Sequence, residues 1–479
     1  MKNRILLNCY SRLPEGKTFY IFLSAFLYIF LSYSPCVISS VQAQKTNADS
    51  LKNAKRNARQ AKNDKSSDDD YYKKNFFRYE DYTYDDNIKT ILLYKEGFAL
   101  SPPLIQLGSD EKIHLSFDDL NTNLRTFKYT IIHCDANWKP SDLMPMQYID
   151  GFTDDYINSY GSSFNTMQKY YHFDLVFPTD NLKPTLSGNY ILKVYKDEDT
   201  DENLMFTRRF MIVEPKVEVI GTVNRATTIE DMNYKQEVDF SISYNTYPII
   251  NPYSDLKVVI TQNDRWDNAN SSLQPKYVKD NMLDYNYTDG QNTFNGGNEF
   301  RHFDTKSIRF ISDRIKKITT DSLGNEIYLL PDAKRSFTNY NTISDINGKK
   351  LIKTDDFIRS PDLEGEYTYV HFILPTYDPV PGGNLYIFGA LTDWHYQKDA
   401  IMKYDSKYNA YTAALYLKQG YYNYEYVLLK NNAIVGDETI IEGNHYETEN
   451  DYSIYVYNQE QGTNYDKLIA VARLNSIRK

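Results

Sequence analysis

His133, Cys134 and Asp135 stand side by side in "YTIIHCDANW", with Trp138 close behind. A cysteine beside a histidine can form a thiolate–imidazolium nucleophile, provided both side chains lie within hydrogen-bonding reach. The segment "FKYTIIHC" alternates as a strand does, which puts Phe127, Tyr129, Ile131 and His133 on one face and Thr130, Ile132 and Cys134 on the other. The pair then points to opposite sides and cannot act as a nucleophile with its base. The expectation is the end of a core strand, with Trp138 plugging the sandwich, followed by a long loop over "KPSDLMPMQYIDGF".

Other chemistry-bearing clusters are weaker. "DEDTDEN" spaces Asp197, Asp199 and Asp201 as a calcium loop does, but Glu202 stands where glycine is needed and Arg208 where the closing glutamate belongs. It is expected to be the solvated tip of a hairpin. "EGKT" at 15–18 lacks the upstream glycine of a phosphate loop. His445, Glu447 and Glu449 in "GNHYETEND" have no partner motif and are read as a polar loop. The seven histidines are scattered singly, and no HExxH, GxSxG or dinucleotide fingerprint occurs. The expectation is no catalytic residue, no metal, no cofactor and no enzyme.

The elements that would position such residues are strands. From Ile88 onward, short runs such as "IKTILLY", "YHFDLVF", "GNYILKVY" and "EVDFSIS" alternate with a period of two between Pro, Gly, Asn and Asp, and no long amphipathic helical stretch competes. The content of 45 Tyr and 24 Phe suits strands and broad contact surfaces. The fold class expected is all-β, with three serial immunoglobulin-like β-sandwich domains: 86–214, 215–375 and 376–460, with a tail over 461–479. "PTYDPVPGG" at 375–383 is read as a hinge.

Ahead of these, 1–43 reads as an export signal: Lys2, Arg4, Arg12 and Lys17 precede the apolar "FYIFLSAFLYIFLSYS", and Val41 and Ala43 fit a cleavage site. An uncleaved anchor is the alternative. Removing its four basic residues and one acidic residue leaves 50 Lys and Arg against 63 Asp and Glu, a net charge of −13, which argues against a nucleic-acid partner. Cys9 and Cys36 leave with the signal, so Cys134 is alone and no disulfide framework is expected. Residues 44–85 mix both charge signs on every face and read as a disordered tether.

Two resemblances follow from longer strings. "LYIFGALTDW", "MKYD", "YTAALYL" and "GYYNYEYVL", within 385–433, resemble the glycogen-binding family of early-set sandwiches. That resemblance implies aromatic contact residues, for which Trp394, Tyr422 and Tyr424 are the candidates, and carbohydrate binding as an alternative function. The ordered set "YTIIHCDANWKPSDLMPMQYIDGF", "FNTMQKYYHFDLVFP", "LSGNYILKVY", "FTRRFMIVEP", "ITQNDRWDNA", "GGNEFRHFD", "YIFGALTDW" and "IEGNHYETENDYSIYVY" resembles the type IX secretion system plug proteins over about 86–477. His133, Cys134, Trp138, Trp266 and Trp394 would be its structural signature residues. This resemblance implies a non-enzymatic periplasmic protein, monomeric when free, that docks on the periplasmic mouth of the outer-membrane type IX translocon barrel and closes it.

Overall fold

The computed structural model describes residues 77–477 apart from Thr246 and Leu323. The signal and most of the tether lie outside the described residues. The described chain is all-β and sandwich-like, as the alternation predicts, and three pairs of sheets each enclose an apolar core.

In the first sandwich, one sheet runs in the order Tyr82–Thr83, Leu204–Val213, Gly188–Lys196, Phe127–Cys134, Asp155–Tyr156. The facing sheet runs Ile88–Lys95, Ile113–Asp119, Tyr171–Phe177, Ser159–Ser162. Inward residues of both sheets interdigitate, and Phe117 meets Phe127, Phe173 and Phe206 at ring separations of 5.0–5.3 Å. The acidic run Asp197–Glu202 caps the hairpin between Gly188–Lys196 and Leu204–Val213, where the sequence places it.

The second and third sandwiches are interleaved along the chain. Glu218–Arg225 and Lys235–Ser243 form one sheet of the second sandwich, with Met282–Asp284 and Tyr277–Lys279. Its other sheet is Arg265–Asn270, Leu256–Gln262, Asp451–Asn458, Lys467–Asn475. The third sandwich lies between these in sequence. Arg301–Asp304, Lys350–Ile352 and Gly383–Phe388 all pair with the long strand Gly420–Lys430. They face a sheet ordered Ile315–Thr320, Asn325–Leu329, Tyr367–Pro375, Ala410–Lys418, Lys403–Asp405.

Boundaries at 375/376 and 460/461 therefore do not follow the sheets. Five strands before residue 376 belong to the third sandwich, and Asp451–Asn458 and Lys467–Asn475 return to the second. Alternation reports which faces of a strand are buried but not which distant strand it pairs with, so a returning hairpin is invisible to it.

The tether is corrected at its end. Residues 77–85 are folded onto the first sandwich: Tyr82–Thr83 pairs with Phe206 and Thr207, Asp81 accepts from the Arg209 amide at 2.6 Å, and Arg78 and Tyr84 are buried. The aromatic run "FRYEDYTY" supplies the apolar surface that the charged residues before it lack.

Central strands of the first two sandwiches are buried on both faces. A separate apolar cluster of Cys134, Ala136, Trp138, Ile191, Met211, Val259, Tyr455, Tyr457 and Leu468 joins the outer face of one sheet to the outer face of the other. Among the described residues, no helix is long and apolar enough to cross a membrane.

Candidate functional site

Strand alternation governs His133 and Cys134 as expected. His133 faces the first core beside Tyr190 and Tyr148, its Nδ1 2.9 Å from the Ser141 hydroxyl and its Nε2 3.2 Å from the Ser187 carbonyl. Burial holds its pKa below the ordinary histidine value. Cys134 points the other way, fully buried in the joint between sandwiches, and burial pushes its thiol up to about 12. A neutral, shielded thiol turned away from its histidine has no nucleophilic role.

Trp138 and Trp266 of the signature bind the first sandwich to the second. Trp138 meets Trp266 edge to face at 4.9 Å, and Trp266 stacks on Tyr455 at 5.3 Å. The Arg209 guanidinium lies 4.5 Å from the Trp138 ring. Asp466, on the approach to the last strand, accepts from the Ala136 amide at 2.9 Å and pairs with Lys257 at 2.8 Å. Trp138 thus seals the space between two sandwiches and not the inside of one.

Three candidate contact residues are placed elsewhere than expected. Tyr422 and Tyr424 lie inside the third core, 2% and 0% exposed. Tyr422 stacks on Phe303 at 5.1 Å, and the Tyr424 hydroxyl donates to Asp332 at 2.7 Å. The strand Gly420–Lys430 is buried on both faces along most of its length, so alternation puts neither ring in reach of a partner. Trp394 is half-buried, with Phe388 and Phe300 edge-on at 5.5 and 6.0 Å and the Arg265 guanidinium 5.0 Å from its ring. It packs the joint between second and third sandwiches and offers no open platform for a sugar.

Sequence reasoning missed the polar side of the joints. Asp118 is buried between the Lys418 ammonium at 2.7 Å, the His172 ring at 2.6 Å and the Tyr367 hydroxyl at 2.6 Å. It clamps the first sandwich to the third. Burial alone opposes the charged carboxylate, yet Lys418 and His172 hold its pKa below the usual range. Asp393 does the same with Arg208 at 2.8 Å and Lys350 at 3.1 Å. Arg265 bridges the second and third sandwiches to Glu425 at 3.4 Å. Partners this far apart in sequence leave no local signature.

The described residues contain no group of three or more His, Cys, Asp and Glu arranged to hold a metal ion. The largest outward apolar display in the first sandwich lies on the segment 144–164. Met144 and Met146 are 74% and 85% exposed, and Phe152, Tyr156, Tyr160 and Phe164 are also exposed. The segment is anchored from below: Tyr148 is buried and its hydroxyl reaches the Ile131 carbonyl at 3.3 Å, while Gln147 caps the Met144 amide at 2.7 Å. Arg359 lies over Phe164 at 4.4 Å and carries the display onto the third sandwich, where Phe357, Ile358, Phe310 and Ile311 are exposed. The two segments bearing them are tied by Asp356, which accepts from Ser307 and the Ile308 amide at 2.8 Å. These solvent-facing methionine and aromatic side chains therefore sit on a fixed scaffold.

Residues 88–214, the first sandwich, match the family described as type 9 secretion system plug protein 1st domain. The crystal structure of a hypothetical protein from Parabacteroides merdae ATCC 43184 is similar over 83% of this chain and 100% of its own, with 34% identity and a TM-score of 0.79. The C-terminal domain of the Streptococcus pyogenes antigen I/II-family protein AspA aligns over 81% of this chain and 99% of its own, at 7% identity and a TM-score of 0.14. No curated protein matches significantly. The match on the first sandwich sets this all-β chain in its family: it belongs to the type IX secretion system plug proteins.

Proposed function

We propose that this protein docks on the periplasmic mouth of the outer-membrane type IX translocon barrel and closes it while no cargo is engaged. Family membership gives it a role in type IX secretion and, with the all-β fold, points to a non-enzymatic component of the cell envelope. The observation that carries the docking reading is the exposed apolar segment 144–164, which lies within the residues matched to the plug domain. Apolar and charged joints between the three sandwiches support a body stiff enough to close an opening. Exposed methionine suits a contact that forms and releases, because its flexible thioether adapts to more than one packing arrangement.

The test is recovery of the tagged protein from membranes. A very large outer-membrane protein should accompany it, more so in cells lacking secreted cargo, and the double variant Met144→Asp/Met146→Asp should lose that companion while folding normally. Recovery of no such protein from either kind of cell refutes the reading. Deleting the gene should raise sensitivity to large antibiotics without abolishing secretion.

A further inference from the structure

A concave site shares no residue with the 144–164 segment and lies where the third sandwich leaves and re-enters the second. A cavity of about 630 Å³ is lined by Asn233, Tyr234, Asn339, Tyr340, His445 and Glu447, together with neighbouring hydroxyl and amide groups. Its size falls in the usual small-ligand range, about 300–1,000 Å³.

Three loops build its walls and each is held in place. The turn at 231–234 is tied to the linker that leads into Asp451–Asn458 by the Tyr446 amide donating to the Asn233 carbonyl at 3.3 Å. The loop after Asn325–Leu329 is fixed by the Arg335 amide on the Ile441 carbonyl at 2.8 Å and by the Tyr340 hydroxyl on Glu299. Gly443, at φ +88°, lets the linker approach: a Cβ there would sit 3.2 Å from the His445 ring and 3.3 Å from Ser336. The cavity is therefore pre-organised, which lowers the cost of ordering on binding.

Two polar atoms of the lining have no protein partner although they are shielded from solvent: Ser336 Oγ and His445 Nε2. Neither atom is open to the cavity's solvent, so a bound molecule reaches them only after a shift of the lining, and recognition falls to the exposed lining groups. The lining also limits that molecule's chemistry. It contains no Lys or Arg, so nothing answers a phosphate or carboxylate, and a single carboxylate, Glu447, is too little for a metal ion. No aliphatic side chain larger than threonine is present, which disfavours a lipid or an apolar peptide. What remains are amide and hydroxyl groups beside tyrosine rings, of which Tyr234 is half exposed. Amides and hydroxyls match sugar hydroxyls, and a tyrosine face matches the C–H face of a pyranose.

We infer that this cavity is a binding site for a neutral oligosaccharide, separate from the translocon-facing surface and from the Trp394 region. The inference does not depend on the plug reading.

Saturation-transfer NMR on the whole mature chain tests it, with maltotriose, tri-N-acetylchitotriose and glucose 6-phosphate as probes. Transfer to at least one neutral trisaccharide is expected, and the stronger of the two tells whether the site prefers free or N-acetylated sugars. Tyr234→Ala and Asn339→Ala, both on exposed loop positions, should each weaken binding about tenfold. Tyr408→Ala, exposed on the third sandwich, should leave it unchanged. No transfer to either neutral sugar at millimolar concentration, a preference for the phosphorylated sugar, or binding indifferent to both lining variants overturns the inference.

Discussion

Residue by residue, the side chains that look reactive are buried and packed, and their energetics are predictable. Cys134 is fully buried in the joint, so Cys134→Ala should cost about 1–2 kcal/mol in urea unfolding, as other small core truncations do. The native thiol should resist maleimide until the chain unfolds. His172 carries a pH signature. Burial opposes its charged form, but the Asp118 and Asp174 carboxylates outweigh this and raise it to about 9. Its folded pKa lies above the ordinary value of about 6.5, so its contribution to stability is complete below about pH 6.5 and fades as pH rises through about 9. The stability lost in His172→Gln should therefore be greatest near pH 6 and nearly gone by pH 10, read from denaturant midpoints across that range. A loss independent of pH would mean that the histidine matters only for packing.

Among the elements, the last hairpin does the most. Lys467–Asn475 pairs only with Asp451–Asn458 in its sheet, yet Leu468 packs into the joint with the first sandwich and Ile469 into the second core. Truncation after Gln459 removes both side chains, and with them the bonds from Asp466 to Ala136 and Lys257. At about 1.5–3 kcal/mol for each large apolar side chain, the chain should lose at least about 3 kcal/mol or fail to fold cooperatively. Gly188 opens a central strand at φ +143°, where an added Cβ would lie 2.5 Å from His133 Nε2. Gly188→Ala should cost about 2–3 kcal/mol in the same assay, through left-handed backbone strain and displacement of the histidine.

For the whole molecule, the joints decide whether three sandwiches act as one body. Lys418 and Asp118 are 2% and 0% exposed and come from different sandwiches. Removing Lys418 leaves Asp118 buried with only His172 to offset its charge and Tyr367 to donate to it, so Lys418→Met should cost about 3 kcal/mol. Amide hydrogen exchange should rise on Ile113–Asp119 and Ala410–Lys418 together, the two strands that carry the pair. Replacing both as Asp118→Leu/Lys418→Met should restore part of the loss, because an apolar pair needs no charge compensation. Exchange confined to one sandwich would mean that the clamp does not couple them.

The alternation of "FKYTIIHC" is enough to turn His133 and Cys134 to opposite faces, and the period of two along the chain is enough to make it all-β, because both depend only on local backbone geometry. Ordered strings across the chain also carried the family. The sequence did not show that the aromatics of "YYNYEYVLL" are buried on both faces, that "YSIYVYN" returns to an earlier sheet, or that Asp118 meets Lys418. Each depends on contacts between residues far apart in the chain, and a local period carries no information about a distant partner. Tertiary structure alone therefore moved Tyr422 and Tyr424 from the surface to the core, turned Trp138 and Trp266 into a seam, and brought three separate loops together around one polar cavity.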